Sequence, residues 1–322
     1  MRYVEAGGVR LSVIGLGTWQ FGAREWGYGN EYASHVAPEI VTRALELGVN
    51  LIDTAEVYGF GRSEQIVGRA IKGRRDEVFL ATKVFPIAPF PPVVEWRAVE
   101  SAARLGVEHL DLYQVHWPNP LVPIGTPMPA MAKLQRTGLV RHVGVSNFSL
   151  AQWEKAERAL GSVVLSNQVQ YSLASRRHGD ELSPWAQQND RVVIAYSPLA
   201  QGLLAGRYDH DHRPPAGVRR SNPLFLPENL DRVGKLIGVL RAVASAHEAT
   251  PAQVALAWLI RRPNVVVIPG ASSVAQLEAN VAASELELSD EEDRQLIEVS
   301  DQFHPRVGPA ATMDLARARF RR

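Results

Sequence analysis

Four side chains of the kinds that move protons stand near the ends of apolar runs in the first part of the chain: Asp53, Tyr58, Lys83 and His116. A phenol alone is a poor acid near neutrality, because its reference pKa is about 10. An adjacent ammonium favours the phenolate and an imidazole can share or relay its proton, so such a cluster can act as a general acid or base. A carboxylate could hold the lysine in place and keep it charged. The four form one site only if the runs that carry them lie side by side.

Short apolar runs alternate with stretches of helical periodicity along most of the chain. Residues 3–5 and 9–16, separated by Gly7-Gly8, predict a short hairpin that precedes the first core strand. The later strand-like runs are 51–52, 78–80, 110–115, 142–145, 163–165, 192–195 and 265–268. The helical stretches between them are 38–47, 63–71, 93–105, 128–136, 150–160, 177–188 and a longer one over 230–262.

This alternation predicts a parallel sheet, and eight strands suit closure into a (β/α)8 barrel, with an open doubly wound sheet as the main alternative. In a barrel the functional residues lie where the strands end. Polar residues follow six of the runs in register, which favours the barrel. We therefore predict one (β/α)8 barrel domain over residues 1–322, with an N-terminal β-hairpin and extra helices near the C-terminus. The six positions are Asp53, Lys83, His116, Ser146–Asn147, Gln168 and Ser197.

The composition excludes several classes of protein. A hydrophobic content of 46% and a charged content of 21% suit a globular core. The net charge of +1 does not indicate a basic surface that would bind nucleic acid. With no cysteine, the chain has no disulfide, no Cys-ligated zinc and no thiol nucleophile, and no metal site is predicted. The one basic cluster is expected to be a solvated terminal face, formed by Arg317, Arg319, Arg321 and Arg322.

The first residues lack the apolar segment of a signal peptide, and no run approaches the roughly 20 apolar residues of a membrane span. We expect a cytoplasmic protein with no membrane partner. The sequence leaves its oligomeric state open.

Two glycine motifs do not predict a nucleotide-binding loop. Residues 15–20 begin like a dinucleotide fingerprint, but Gln20 stands where the third glycine belongs. Residues 59–64 are more typical of a loop in which Ser63 caps the next helix and Glu64 lies in its first turn.

Taken together, the motifs resemble those of the aldo-keto reductases, including bacterial members and the branch related to potassium-channel β-subunits. The resemblance covers about residues 1–300 and implies a barrel reductase that binds a nicotinamide cofactor, most often NADPH, in an extended pose without a Rossmann fold. The matching segments are 15–19, 53–59, 82–83, 111–116, 144–148, 167–168, 196–199, 202–204 and 268–270.

By this resemblance Tyr58 is the general acid that protonates a carbonyl oxygen while hydride arrives from the nicotinamide. Lys83 and Asp53 tune it, and His116 orients the carbonyl or assists the proton transfer. The physical logic agrees, because hydride addition develops negative charge on oxygen and a proton donor beside a cation stabilises that charge.

The resemblance also implies a set of cofactor contacts. Ser146, Asn147 and Gln168 correspond to carboxamide-binding residues, Tyr196 would stack on the nicotinamide ring, and backbone N–H groups at residues 202–203 would face the pyrophosphate. The whole set is Gly17, Thr18, Trp19, Asp53, Ser146, Asn147, Gln168, Tyr196, Ser197, Leu199, Gly202, Leu203, Gly270, Ser272, Gln276 and Asn280.

At the part of the expected cofactor site that would hold the adenosine, this sequence differs from many relatives. Those relatives have a lysine and an arginine at the 2′-phosphate. Here residues 270–273 are Gly-Ala-Ser-Ser, followed by Gln276. Serine hydroxyls and a helix N-terminus near Val274 could still bind phosphate, and Arg219 and Arg220 in the loop 213–227 could fold over it. NADPH is the expected cofactor, with NADH as the alternative.

The expected substrate is a small-molecule carbonyl compound. Trp19, Phe85 and Trp117 follow predicted strand ends and could form an apolar wall beside Tyr58 and His116, of the kind that accepts many aldehydes and ketones. Two other functions stay open: a regulatory protein that retains the cofactor as a redox sensor, and a cofactor-free isomerase. The isomerase leaves the carboxamide-binding set unexplained.

Overall fold

The computed structural model describes residues 1–22, 24–214, 217–308, 310–311 and 313. Its strands form an antiparallel hairpin and one parallel sheet of eight strands whose spatial order follows the sequence. The basic tail at Arg317, Arg319, Arg321 and Arg322 lies outside the described residues. The hairpin strands are β1 (Tyr3–Ala6) and β2 (Val9–Ser12); the sheet strands are β3 (Leu16–Gly17), β4 (Leu51–Asp53), β5 (Phe79–Val84), β6 (Leu110–Val115), β7 (Val140–Ser146), β8 (Val164–Gln170), β9 (Val192–Tyr196) and β10 (Val265–Val267).

The sheet closes on itself, because the segment that enters β3 pairs with β10. The Val267 N–H donates to the Val13 carbonyl at 2.9 Å, and the Gly15 N–H donates to the Val267 carbonyl at 2.7 Å. The predicted (β/α)8 barrel is therefore confirmed. The hairpin covers the end at which the strands begin: Gly7 abuts the side chain of Leu165, near the start of β8.

Helices surround the barrel, and a continuous buried apolar cluster lies between them and the strands. No helix in the described part of the chain is long and apolar enough to cross a membrane. The helices are α1 (Gly29–Glu31), α2 (Ala37–Glu46), α3 (Arg62–Ala70), α4 (Pro91–Leu105), α5 (Met128–Arg136), α6 (Leu150–Leu160), α7 (Arg177–Gln188), α8 (Gly217–Arg220), α9 (Pro227–Ala246), α10 (Pro251–Ile260), α11 (Val274–Ala282) and α12 (Asp290–Asp301).

The long helical stretch predicted over 230–262 is wrong in one respect, since it is two helices. Helix α9 ends at Ala246, and Thr250 starts α10 with a reciprocal capping box. The Thr250 N–H donates to the Gln253 side chain at 2.8 Å, and the Gln253 N–H donates to the Thr250 hydroxyl at 3.3 Å. Pro251 in the first turn of α10 favours this restart, because its fixed φ suits a helix start and it has no N–H to leave unpaired.

Helices α3 and α4 approach so closely at Gly68 that a Cβ there would lie 2.2 Å from the Leu105 carbonyl oxygen. Gly68→Ala should therefore lower the free energy of unfolding by about 1–3 kcal/mol, because the backbone must move to admit the methyl group. Gly238→Ala in α9 is the matched control, since a Cβ there meets nothing within 4 Å. The control should be neutral or stabilising by about 0.5–1 kcal/mol. Urea unfolding of both variants measures this, and equal effects would contradict the close packing.

Candidate functional site

Lys83 is the centre of the predicted cluster and is fully buried near the end of β5. Its Nζ donates to Asp53 Oδ1 at 2.5 Å and to the Thr54 carbonyl at 2.9 Å, and it lies 3.4 Å from the Tyr58 hydroxyl. Neighbouring parallel strands end at the same edge, so β4 and β5 place these groups together. A buried ammonium needs such partners, because an unpaired charge out of water is very costly.

Tyr58 lies between the lysine and His116. Its ring centroid is 5.0 Å from Lys83 Nζ and 5.8 Å from the His116 ring, which meets it nearly edge-on at 76°. His116 follows β6, and its backbone N–H donates to the Val84 carbonyl at 3.0 Å. The structure thus brings Asp53, Tyr58, Lys83 and His116 to one place at the mouth of the barrel.

The electrostatics keep the phenol protonated beside a cation. Burial raises the pKa of Tyr58, and Lys83 opposes part of that rise. Burial by itself lowers the pKa of Lys83, but Asp53 and Tyr58 more than compensate, so its pKa lies above the ordinary value. Near neutral pH the pair is therefore an ammonium next to a neutral phenol.

Asp53 is held by more than the lysine. Its second oxygen, Oδ2, accepts a hydrogen bond from Gln168 Nε2 at 2.8 Å and another from Gln114 Nε2 at 3.3 Å. Side chains from β5, β6 and β8 thereby hold the one carboxylate of β4 in place. A buried carboxylate with both oxygens paired can orient Lys83 without moving itself.

Ser63 does not cap the next helix, so that prediction was wrong. Gly61 is the N-cap of α3, with a left-handed φ of 84°. The Ser63 hydroxyl instead turns inward and contacts the hydroxyls of Thr18 at 2.8 Å and Thr54 at 2.9 Å. Because the Ser63 N–H also donates to the Tyr58 carbonyl at 3.2 Å, this buried hydroxyl cluster anchors the loop that carries the phenol.

A cavity of about 750 Å³ extends from Tyr58 and His116 to the first turns of α10 and α11. The predicted cofactor residues line it with the exception of Leu203, which is buried behind it. Those that line it are Gly17, Thr18, Trp19, Asp53, Ser146, Asn147, Gln168, Tyr196, Ser197, Leu199, Gly202, Gly270, Ser272, Gln276 and Asn280.

Polar side chains in the middle of the cavity are hydrogen-bonded to one another. Ser146 Oγ donates to the Gln168 carbonyl at 2.8 Å and accepts from Asn147 Nδ2 at 3.0 Å. The Tyr196 hydroxyl donates to Asn147 Oδ1 at 2.9 Å. Asn147 has a left-handed φ of 61°, a conformation that asparagine tolerates better than most residues. The Asn147 amide and the Tyr196 ring therefore form one preorganised surface of the cavity.

Two helix N-termini reach the far end of the cavity. Ser273 caps α11 by accepting the Gln276 N–H, and Gln276 Oε1 accepts the N–H and the hydroxyl of Ser272, each at 2.9 Å. Thr250 caps α10 beside it. The expected phosphate donor at Gly202 is already engaged, because its N–H donates to the Leu199 carbonyl at 2.9 Å.

The apolar wall is partly different from the expected one. Trp19 and Trp117 line the cavity, whereas Phe85 lies behind Trp117 and packs edge-on against it at 4.7 Å. Trp26, which the sequence placed on a less certain loop than the three expected wall residues, also lines the cavity and meets Trp19 edge-on at 5.1 Å. The guanidinium of Arg219 lies 5.0 Å from the Trp26 ring.

Several other residues that line the cavity were not predicted from the sequence. Pro251 indicated a helix first turn from the sequence, but nothing local predicted that this helix N-terminus faces the cavity. Among the described residues no group of three or more His, Cys, Asp or Glu side chains is arranged to hold a metal ion. The missed lining residues include Gln20, Gln201, Arg207, Tyr208 and Thr250–Ala252.

A (β/α)8 barrel with these side chains at its mouth is typical of one class of protein, the barrel reductases. Comparison with known proteins gives the same class. The family described as "Aldo/keto reductase family" matches residues 13–301. The chain belongs to the aldo/keto reductase family, whose members use nicotinamide cofactors.

Individual relatives are similar over nearly their whole length. An uncharacterized oxidoreductase of Mycobacterium tuberculosis is 54% identical over 306 residues, which cover 95% of this chain and 94% of that protein. The methylglyoxal reductase YeaE of Escherichia coli is 34% identical, with 96% and 97% covered. An aldo/keto reductase from Klebsiella pneumoniae, crystallised with NADP and acetate, is 32% identical with a TM-score of 0.72, and covers 92% of this chain and 95% of its own.

His116 should be neutral across the physiological range. Burial and then the charge of Lys83 lower its pKa from 6.5 to about 2. The unfolded chain takes up this proton near pH 6.5 and the folded chain does not, so this residue makes folding less stable as the pH falls below about 6.5. NMR of the imidazole carbons, assigned with His116→Asn, should show no titration of this ring between pH 8 and 4. A midpoint in that window would contradict the lowered pKa of His116.

Proposed function

We propose that this protein is an NAD(P)H-dependent oxidoreductase that reduces aldehydes or ketones to alcohols, with Tyr58 as the general acid. One observation carries the proposal: the Tyr58 hydroxyl lies 3.4 Å from a fully buried ammonium, which Asp53 holds in place. A phenol in that position can give up its proton to a developing alkoxide, because the adjacent positive charge stabilises the phenolate left behind.

We assign the following roles in the reaction. A bound nicotinamide supplies the hydride that reaches the carbonyl carbon. Tyr58 gives its proton to the carbonyl oxygen, which yields the alcohol and a phenolate that water reprotonates. Lys83 stabilises that phenolate and remains charged. The neutral imidazole of His116 can donate a hydrogen bond to the same oxygen, which orients the carbonyl and polarises it.

The cavity fits a nicotinamide dinucleotide. At the inner end, the side chains of Asn147 and Gln168 offer amide groups to a carboxamide, and Tyr196 offers a flat ring for stacking. Gly17 lets the backbone at the end of β3 approach the segment after β10 closely, because a Cβ there would meet the Ile268 carbonyl oxygen at 2.6 Å. At the outer end, two helix N-termini suit phosphate groups. NADPH is the proposed cofactor and NADH the alternative, since residues 270–276 carry no cation.

The substrate is proposed to be a small carbonyl compound. The name of the E. coli relative, a methylglyoxal reductase, and the NADP complex of the K. pneumoniae neighbour support a carbonyl reduction that uses this kind of cofactor. The walls formed by Trp19, Trp26 and Trp117 are apolar, so they favour carbonyl compounds whose remaining atoms are apolar as well.

Tyr58→Phe should reduce kcat for a reactive aldehyde by about 10²–10⁴-fold, because it removes only the proton donor. The Kd for NADPH should stay within about twofold, since the ring is retained. Steady-state NADPH oxidation and fluorescence titration measure the two quantities. Tyr208→Phe is the matched control, because Tyr208 also lines the cavity but packs against Phe225, and it should retain activity.

Near-normal kcat in Tyr58→Phe would refute the assigned acid. A single slow turnover per bound cofactor in the unmodified protein would instead favour the redox-sensing alternative.

Gln276→Arg should lower the Kd for NADPH about tenfold relative to that for NADH, because a guanidinium in the first turn of α11 can form charge-assisted hydrogen bonds with a 2′-phosphate. Gln276→Met is the control, since it loses the same hydrogen bonds to Ser272 without adding charge and should affect both nucleotides alike. Equal changes for NADPH and NADH in the arginine variant would argue against a phosphate at Gln276.

A further inference from the structure

Two arginines of α4 pair with two glutamates that flank Tyr58 in the sequence. Arg97 and Arg104 are seven residues apart, about two helical turns, so they lie on one face of the helix. Arg97 Nε lies 3.4 Å from Glu56 Oε2, two residues before Tyr58. Arg104 Nε donates to Glu64 Oε2 at 2.6 Å, six residues after it. One helix thereby holds both ends of the segment from Glu56 to Glu64, which we call the Tyr58 turn.

Glu64 ties the end of the Tyr58 turn to the strand that carries Lys83. Its side chain is fully buried, and a carboxylate in that environment must be paired. Its Oε1 accepts the Thr82 hydroxyl at 2.7 Å, and Arg104 supplies the bond to the other oxygen. Thr82 directly precedes Lys83 on β5. This carboxylate therefore sets the position of the turn relative to the ammonium.

The start of the Tyr58 turn is tied to the backbone on the other side of Lys83. The Glu56 carboxylate accepts the Phe85 N–H, and Arg97 Nη1 donates to the Phe85 carbonyl at 2.5 Å. Burial raises the pKa of Glu56, and the Phe85 N–H and the charge of Arg97 oppose that rise. Phe85 lies two residues after Lys83. The two glutamates therefore bind the chain just before and just after the catalytic lysine.

The middle of the Tyr58 turn is strained, and Arg104 packs against it. Gly59, Phe60 and Gly61 all have left-handed φ values, of 57°, 56° and 84°, a region that is unfavourable for phenylalanine. A Cβ at Gly61 would lie 2.6 Å from Arg104 Cδ and 2.8 Å from its Nε. Such a backbone persists only when the surrounding structure holds it. Arg104 contacts both the strained residues and the carboxylate that ends the turn.

We infer that Arg97 and Arg104 are positioning residues. Through their glutamate partners they hold the Tyr58 hydroxyl beside Lys83. This rests on the proposed function, in which the phenol must meet the carbonyl oxygen while the ammonium stabilises the phenolate. The bond between the two groups is long, at 3.4 Å, so it does not by itself hold the phenol in place. A displacement of about 1 Å is enough to reduce the rate about 10²-fold.

The experiment measures kcat and KM for a reactive aldehyde and the Kd for NADPH in Arg104→Ala. We expect kcat to fall about 10²-fold, the cost of a displaced proton donor. KM and Kd should stay within about threefold, because the lost interaction serves the transition state. Guanidinium chloride, far below the concentrations that unfold proteins, should restore much of kcat, because the ion can refill the partly exposed site beside Glu64. A crystal structure of the variant should show the Tyr58 hydroxyl farther than 3.4 Å from Lys83 Nζ.

Two further variants keep the test decisive if Arg104→Ala folds poorly. Glu64→Gln with Arg104→Met keeps the shapes of both side chains and leaves no buried charge unpaired. It should show a similar loss of kcat, and guanidinium should not restore it, because no carboxylate is left to bind the ion. Arg97→Ala releases the other end of the Tyr58 turn and should also lower kcat.

Arg75→Ala is the matched control. Arg75 pairs with the buried Asp111 at 2.6 Å, and its side chain is 20% exposed, compared with 23% for Arg104. It precedes β5, at the end of the barrel opposite the mouth. Thermal stability should fall in this variant as in Arg104→Ala, but kcat should stay within about twofold, because a distant site acts independently of Tyr58.

The inference is overturned by an undiminished kcat in Arg104→Ala or in the double variant, by an equal loss of kcat in Arg75→Ala, or by a Tyr58 hydroxyl that has not moved in the variant structure. Absence of turnover by the unmodified protein with every aldehyde would instead refute the proposed function. In that case the variant structure still decides whether Arg104 positions the phenol, so the two failures are distinguishable.

Discussion

The buried ion pair between Lys83 and Asp53 is the constraint on which the site depends. A charged ammonium inside a barrel must be paired and hydrogen-bonded, and here one carboxylate oxygen and the Thr54 carbonyl meet that need. Burial alone would lower the pKa of the lysine, yet the pairing raises it. The barrel therefore carries a permanent positive charge at its mouth. Tyr58 and His116 are organised around that charge, one as a neutral phenol and the other as a neutral imidazole.

The same carboxylate links the proton-transfer groups to the rest of the cavity. Its second oxygen binds the Gln168 side chain, while the Gln168 carbonyl accepts the Ser146 hydroxyl. Asn147 then connects Ser146 to Tyr196. Groups proposed to handle the carbonyl and groups proposed to hold the cofactor thus belong to one hydrogen-bonded network. In a low-dielectric interior such a network is rigid, so the inner end and the middle of the cavity are positioned relative to each other by the strands.

Local patterns predicted the elements well where the periodicity was strong and poorly where it was interrupted. Helices over 128–136, 150–160 and 177–188 begin and end as expected. The stretch 230–262 divides at a capping box that a continuous apolar pattern conceals. Ser63 carried a capping signal, yet its hydroxyl is buried with those of Thr18 and Thr54, residues 45 and 9 positions away in sequence. No local propensity can report a contact of that kind.

The sequence by itself determined the order of strands and helices, the residue types at the strand ends and the membership of the aldo/keto reductase family. Each of these can be recognised from the spacing of residue types or from motifs. Only the tertiary structure decided which of those residues share a cavity and which stand behind it, as Phe85 stands behind Trp117. It also decided that the N-terminus of α10 reaches the cavity. The reason is physical: loop conformation and burial depend on closure of the barrel, which joins segments some 250 residues apart.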